Sequence, residues 1–259
     1  MGASDLAMST VEKVFQIIEQ VVSHQEKGLS FSGVVSRTNF PKASTHRILK
    51  SLVGMGYLRF DDEIGRYFGG LKLSFLGSEV TAHFDLKQYV RPQLLKLQAE
   101  TKHPCHLGIR SGNVGVYLDK IESSRPFGIK LFSDVGRSFP LHCTAMGKVL
   151  LAALDPRKRK EILSGKLEPF TLKTITDPAI LERELKKIRR CGYAVDREEI
   201  TRGIMCVAAP VQSDEGEIVA AVSATFPAYI DKERGIASEI QAVTRCAAAV
   251  TDLLKGKDG

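Results

Sequence analysis

The chain has 259 residues, 43% hydrophobic and 26% charged, with 37 Lys and Arg against 30 Asp and Glu for a net charge of +7. That is ordinary globular composition, long enough for one large or two modest domains without a disulfide or metal staple, and the basic excess permits a nucleic-acid partner without requiring one. The longest apolar stretch, 218–226, is far short of the ~20 residues of a membrane helix, MGASDLAMST lacks the basic and apolar regions of a signal peptide, and five scattered cysteines (Cys105, Cys143, Cys191, Cys206, Cys246) with no C-x-x-C point to reduced thiols in a cytoplasm.

Ser9 opens the first expected helix. Ser9-x-x-Glu12 has the pattern of a capping box, in which hydroxyl and carboxylate satisfy exposed backbone donors. Val11, Val14, Phe15, Ile18, Val21 and Val22 then recur at helical spacing, and Gly28 ends the segment. Ser30 can cap a short second helix with Phe31, Val34 and Val35 on its inner face. Asn39-Phe40-Pro41 reads as a turn, since Asn tolerates left-handed geometry and Pro suits a helix start. A third helix follows from Lys42, with Ala43, Ile48, Leu49, Leu52 and Val53 as its expected apolar face and Gly54 and Gly56 at its end. Two short strands, 57–60 and 66–68, flank Asp61-Asp62-Glu63-Ile64-Gly65, a loop suited to a hairpin. Residues 71–84 read as another helix. No Pro-rich or Gly/Ser-rich tether lies nearby, so this helix is the expected connection between two domains.

From Lys87 onward helices and antiparallel hairpins interleave, which argues for α+β architecture. Helices are expected at 89–101 (with Pro92 near the first turn), 145–154, 157–164, 178–191 and 230–254. Strands are expected at 106–110, 114–121, 128–133, 193–196, 205–210 and 218–225, with turns at Ser111-Gly112-Asn113 and Asp214-Glu215-Gly216-Glu217.

Helix, short helix, Pro-containing turn, helix, hairpin is the order of a winged helix-turn-helix, and the charge is sorted to match. Residues 1–84 carry a net charge of only +1, yet 27–60 hold six basic residues (Lys27, Arg37, Lys42, Arg47, Lys50, Arg59) and no acid. Sorting matters more than total charge because phosphate contacts and counterion release are local. The third helix begins Lys42-Ala43-Ser44-Thr45-His46-Arg47. Ser44, Thr45 and Arg47 are expected to project away from its apolar face. Small hydroxyls and helix N-terminal amides suit phosphates and base edges, and Arg47 suits a bidentate contact to guanine or phosphate. Lys42, His46 and Lys50 belong to the same expected face, and Arg66 sits where the wing would reach the backbone or minor groove. The expected partner is double-stranded operator DNA. The basic clusters at 157–160 and 186–190 read instead as solvated helix faces.

The stretch Phe40-Pro41-Lys42-Ala43-Ser44-Thr45-His46-Arg47-Ile48-Leu49, with Leu52 and Gly56-Tyr57-Leu58, resembles the DNA-binding motif of the IclR family of bacterial transcription regulators. The resemblance continues through Leu118-Asp119-Lys120-Ile121-Glu122-Ser123, Val135-Gly136-Arg137-Ser138-Phe139-Pro140-Leu141-His142 and Gly147-Lys148-Val149-Leu150-Leu151-Ala152. It resumes around Tyr193-Ala194-Val195-Asp196-Arg197-Glu198-Glu199 and ends with Gly203-Ile204-Met205-Cys206-Val207-Ala208-Ala209-Pro210 and the Ser223 strand. It implies a winged helix-turn-helix (1–70), a linker helix (71–84) and a GAF-like α+β effector-binding domain (85–259) that senses a small organic acid or aromatic metabolite. By motif match, Ala145, Asp196, Cys206, Ser223 and Thr225 fall on positions lining the family's effector pocket; Thr144 departs from the small residue common there.

The residues allow a physical account of such a pocket. Ala145-Met146-Gly147 would lie at a helix N-terminus, where free amides and the helix dipole favour a carboxylate. Ser223 and Thr225, two apart on one strand, share a face, as do Cys206 and Ala208. Asp196 ends a strand and could accept from a ligand hydroxyl or cap the turn that follows it; Cys206, Ser223 and Thr225 could equally be core residues. The competing class is an enzyme or metal-binding sensor using Cys143, Asp196 and Cys206. Adjacent strand residues point to opposite faces, so His142 is poorly placed to activate Cys143, and the three candidate ligands lack local metal-site spacing. No catalytic residue, metal or cofactor is expected. One small reader domain makes few contacts, so a homodimer or dimer of dimers reading two half-sites is expected, with 71–84 as a dimer element.

Overall fold

The computed structural model describes residues 8–82, 85–124 and 133–255. The chain divides into two compact units, Met1–His83 and Phe84–Gly259, each with its own core. In the first, α1 (Thr10–Val22) starts from the capping box: Ser9 Oγ accepts from the Glu12 amide at 3.2 Å, and the Glu12 carboxylate accepts from the Ser9 amide at 2.6 Å. Its buried face is narrower than the apolar pattern. Ile17 and Val21 are buried, whereas Val11 and Phe15 are 64% and 60% exposed. α2 (Phe31–Thr38) is capped by Ser30, whose hydroxyl accepts from the Gly33 amide at 3.1 Å, and ends on Asn39 at φ 55°. After Pro41 comes α3 (Lys42–Gly54). β1 (Leu58–Asp61) and β2 (Arg66–Gly69) pair as an antiparallel hairpin. Val34, Leu49, Leu52 and Leu58 join Ile17 and Val21 in one core, and three helices with a hairpin make a winged helix-turn-helix. α4 (Leu71–Ala82) follows; the last two residues of the helix expected at 71–84 lie outside the described residues.

The second unit begins with α5 (Asp85–Thr101), β3 (Cys105–Ser111), β4 (Val114–Ile121) and β5 (Ser138–Pro140). α6 (Ala145–Ala153), α7 (Pro156–Ser164) and α8 (Pro178–Cys191) precede β6 (Ala194–Arg197), β7 (Ile204–Gln212) and β8 (Ile218–Pro227). The chain closes with α9 (Tyr229–Arg234) and α10 (Ala237–Lys255). The six strands form one antiparallel sheet in the order β5-β4-β3-β8-β7-β6. Strand β8 explains the long apolar run at 218–226: alternate residues face opposite sides, and both sides are covered. Val222, Ala224 and Phe226 share a core with Val90 and Leu94 of α5 and Val243 and Val250 of α10. Ala221 packs with Leu150 and Leu151 of α6 and Leu185 of α8. Helices on both faces of a curled antiparallel sheet give the GAF-like α+β arrangement.

Three differences from the sequence expectation have local causes. α5 starts four residues early, so Pro92 lies inside it and denies the Gln88 carbonyl its helical donor. The single helix expected at 230–254 is broken: Gly235, at φ 71°, caps α9, and α10 starts two residues later. Only glycine enters that conformation readily. β5 is too short for alternation to reveal it. The strand expected at 128–133 lies outside the described residues except for Ser133, which is in no strand.

Candidate functional site

The outward face of α3 is set by its inward one. Thr45, Ile48, Leu49 and Leu52, at i, i+3, i+4 and i+7, are buried. Lys42, His46, Arg47 and Lys50 are thereby exposed, and Ser44 is half-buried. Thr45 corrects the sequence expectation. It takes the inner position assigned to Ala43, which is exposed, and its hydroxyl donates to the Pro41 carbonyl at 3.2 Å. It therefore faces the core and has no surface to offer DNA. Thr45→Val is expected to cost about 1 kcal/mol of stability through the lost hydrogen bond while leaving DNA affinity unchanged, read by urea unfolding and a gel-shift titration.

Arg66 is held more closely than its sequence position indicates. It is exposed, but its Nη1 donates to the Lys27 and Gly28 carbonyls at 3.0 and 3.2 Å, fastening β2 to the loop after α1. The hairpin tip is Asp62-Glu63-Ile64-Gly65, exposed and acidic, which repels phosphate. Two cations of the acid-free window are also engaged. Arg59 pairs with Asp61 at 2.9 Å and lies over the Phe68 ring at 4.7 Å, and Arg37 Nε donates to His24 Nε2 at 3.2 Å. Of the six cations of this window, Lys42, Arg47 and Lys50 stand exposed together on α3, and Lys27 is exposed in the loop after α1.

The second unit encloses a cavity of about 540 Å³ beside the start of α6. Ala145, Met146, Asp196, Cys206, Ser223 and Thr225 line it, as expected from sequence. Gly147 does not. Its amide donates to Thr144 Oγ1 at 3.0 Å as part of the helix cap, and a Cβ there would lie 2.4 Å from the Pro140 carbonyl oxygen. The first-turn amides without an intrahelical acceptor are then those of Ala145 and Met146. Strand register assembles the rest: Asp196 stands opposite Cys206, Cys206 opposite Thr225, and Ser223 opposite His106. Cys206 Sγ is 2.9 Å from Thr225 Oγ1.

Sequence reasoning missed one wall of this cavity. His106, Tyr117 and Phe139 stack in series, with ring centroids 5.3 and 4.6 Å apart. His106 Nε2 lies 2.8 Å from Ser133 Oγ, and burial, with Lys120 second, pulls the imidazole down to about 3, so it is neutral. The available signal was Gly115: a Cβ there would sit 2.0 Å from the Phe139 ring, so only glycine admits that aromatic.

Beside the cavity lies a buried charged cluster. Lys148 is fully buried, paired with Glu199, and donates to the Val195 carbonyl at 2.7 Å. Asp196, also fully buried, both lines the cavity and caps the turn after β6, its Oδ1 accepting from the Glu199 amide at 2.6 Å. Asp196 Oδ2 and Glu199 Oε2 have no hydrogen-bond partner among the described residues. Burial pushes the Asp196 carboxyl up to about 7, against the pull of the Glu199 amide, and raises Glu199 as well.

Cys143 and Cys206 offer little nucleophilic chemistry. Cys143 lies in the turn before α6, not on a strand, so the opposite-face argument against His142 does not apply. His142 Nε2 is instead 3.0 Å from the Glu168 carbonyl. Burial raises both the Cys143 and Cys206 thiols, opposite to what a reactive thiolate needs. Among the described residues no group of three or more His, Cys, Asp or Glu is placed to hold a metal ion, and no helix is long and apolar enough to cross a membrane.

Comparison with known proteins accounts for both units. Residues 10–62 match the IclR helix-turn-helix domain and 78–252 the C-terminal domain of bacterial transcriptional regulator IclR. The chain is 34% identical over 226 residues to the HTH-type transcriptional regulator XynR of Escherichia coli K12, covering 86% of this chain and 88% of that protein. It is 34% identical over 222 residues to the HTH-type transcriptional regulator KdgR of Dickeya chrysanthemi, covering 85% and 72%. The crystal structure of Thermotoga maritima IclR superposes with a TM-score of 0.72 at 32% identity, over 95% of this chain and 98% of that one. An IclR homologue from Microbacterium hydrocarbonoxydans complexed with 4-hydroxybenzoate shares the fold, with a TM-score of 0.81 at 23% identity over 96% and 100%. The chain belongs to the IclR family of DNA-binding bacterial transcription regulators with a C-terminal effector domain.

Proposed function

We propose that this protein is a ligand-responsive, sequence-specific regulator in which Lys42, Ser44, His46, Arg47 and Lys50 contact operator DNA. Ala145, Met146, Asp196, Cys206, Ser223 and Thr225 hold a small carboxylate-bearing or aromatic acid effector. Residues 1–70 serve as reader, 71–84 as linker helix and 85–259 as sensor. The observation that carries the reading is the cavity itself. Its volume of about 540 Å³ suits a small metabolite, a helix start with unsatisfied amides favours an anion, and an aromatic wall and strand hydroxyls supply shape and hydrogen bonds. That a protein of the same fold carries 4-hydroxybenzoate agrees with an aromatic acid. Neither a metal nor a catalytic residue enters this reading, and a reader of chromosomal DNA works in the cytoplasm.

A thermal-shift screen of the full chain against small carboxylic and aromatic acids tests it, because a pocket ligand stabilises the folded state by mass action. Ser223→Ala is expected to weaken effector response about 2- to 10-fold, the worth of one hydrogen bond, with operator affinity intact. An unchanged effector concentration at half-response removes Ser223 from the site. Reading two half-sites requires a homodimer or dimer of dimers, and the exposed Val11 and Phe15 of α1 and Leu71 of α4 supply apolar surface for it.

A further inference from the structure

The charges beside the effector cavity do not balance, and the imbalance falls on Asp196. One ammonium faces two carboxylates, all three buried. Lys148 is committed to Glu199 and to the Val195 carbonyl. Asp196 is left with a backbone amide on Oδ1 and no partner on Oδ2 among the described residues, although it lines the cavity. Among the described residues the neighbouring groups supply no compensating charge. Tyr117 on β4, Cys143 in the turn before α6 and Cys206 on β7 are all driven toward their neutral forms by burial, as is His106 on β3. Arg137 and Arg202 also line the cavity, but both are solvent-exposed, where water screens their charge. A buried carboxylate oxygen without cation or donor is disfavoured as an ion. Protonated, the same group becomes a hydrogen-bond donor on the cavity wall.

Resting on the reading that this cavity holds an acid effector, we infer that Asp196 stands in it as a neutral carboxylic acid whose hydroxyl donates to an effector oxygen, so that wherever the empty site has lost that proton to solvent, an anionic effector is taken up together with one. The proton comes from solvent onto the Asp196 carboxylate, and no other bond changes. Asp196 thereby selects for a carboxylate or carbonyl oxygen and against a ligand that offers only a donor at that point.

The signs follow from linkage. Asp196 moves from an ordinary 3.8 to about 7 on folding. Between those values the folded chain holds a proton that the unfolded chain has lost, so the contribution of Asp196 to stability falls as pH rises through that window and is constant above it. Affinity for an anionic effector is constant below pH 7 and falls about tenfold per pH unit above it.

The test uses full-length protein, wild type and Asp196→Asn, which keeps a neutral donor that cannot titrate. Thermal melts from about pH 4.5 to 8 should show the wild type losing stability relative to the variant up to about pH 7, then running parallel; profiles parallel throughout overturn the inference while leaving the effector reading standing. Calorimetric titration with benzoate and 4-hydroxybenzoate at about pH 6 and 8.5 should show wild-type affinity about 30-fold weaker at the higher pH. The variant should be equal at both, and pH-independent wild-type binding also overturns the inference. If neither acid binds at either pH while the melts still diverge, the effector reading has failed, and the recognition role falls with it. Should Asp196→Asn not fold, Glu199→Gln serves: it frees Lys148 for Asp196, so the stability window must move to lower pH, and an unmoved window contradicts the assignment.

Discussion

Lys148→Met is expected to destabilise the protein by about 3–5 kcal/mol, the usual cost of orphaning one partner of a buried ion pair. Met nearly preserves the volume of a side chain that is fully buried, so the loss is electrostatic and not a cavity. Glu199 would keep its burial but lose its counterion, with Oε2 already unpartnered. Glu199 is raised by burial even with Lys148 present; without it the carboxyl rises further. The destabilisation should therefore grow as pH increases from the acid range and be smallest where Glu199 is protonated. Adding Glu199→Gln removes the orphan charge and should recover much of the loss. Urea unfolding at several pH values checks this, and a single-variant cost below about 1 kcal/mol would show that the pair is not buried as described.

Arg47→Ala is expected to weaken operator binding by about 1–3 kcal/mol, or roughly 5- to 150-fold, with specificity relaxed if Arg47 reads a guanine. Its side chain leaves the exposed face of α3 while Ile48 and Leu49 hold the core, so stability should change by no more than about 0.5 kcal/mol. Lys50→Ala removes a point charge instead; if it meets phosphate, binding weakens across all sequences and the salt slope falls by about 1. Undiminished operator affinity in Arg47→Ala would remove α3 as the reading element.

Much of this architecture was legible from local chemistry. The Ser9–Glu12 box, the Ser30 cap, left-handed Asn39 and the β7–β8 hairpin turn are each fixed by a few adjacent residues, and each appears where sequence placed it. What sequence missed depends on tertiary neighbours. Thr45 is polar by type, but the stripe 45, 48, 49, 52 needs an inward residue there, and the Pro41 carbonyl satisfies its hydroxyl. Arg66 looked free until the loop after α1 came within reach. Gly147 shares a helix start with two pocket residues yet faces Pro140 and Thr144. His106 joins the cavity only because β3 lies beside β8, a non-sequential pairing that no local pattern encodes. The net charge misled in its distribution: the chain total of +7 says less than the exposed cations of one helix.

The central claim is that a ligand held in the sensor cavity alters how the reader half binds DNA. Its most direct test is the affinity of the full-length protein for a duplex selected from a random library, measured by fluorescence anisotropy with and without an acid that raises the melting temperature. A shift in operator affinity of about 5- to 150-fold is expected, diminished in Ser223→Ala. An acid that stabilises the protein through this cavity yet leaves operator affinity unchanged, or a selection that enriches no sequence, would contradict the claim.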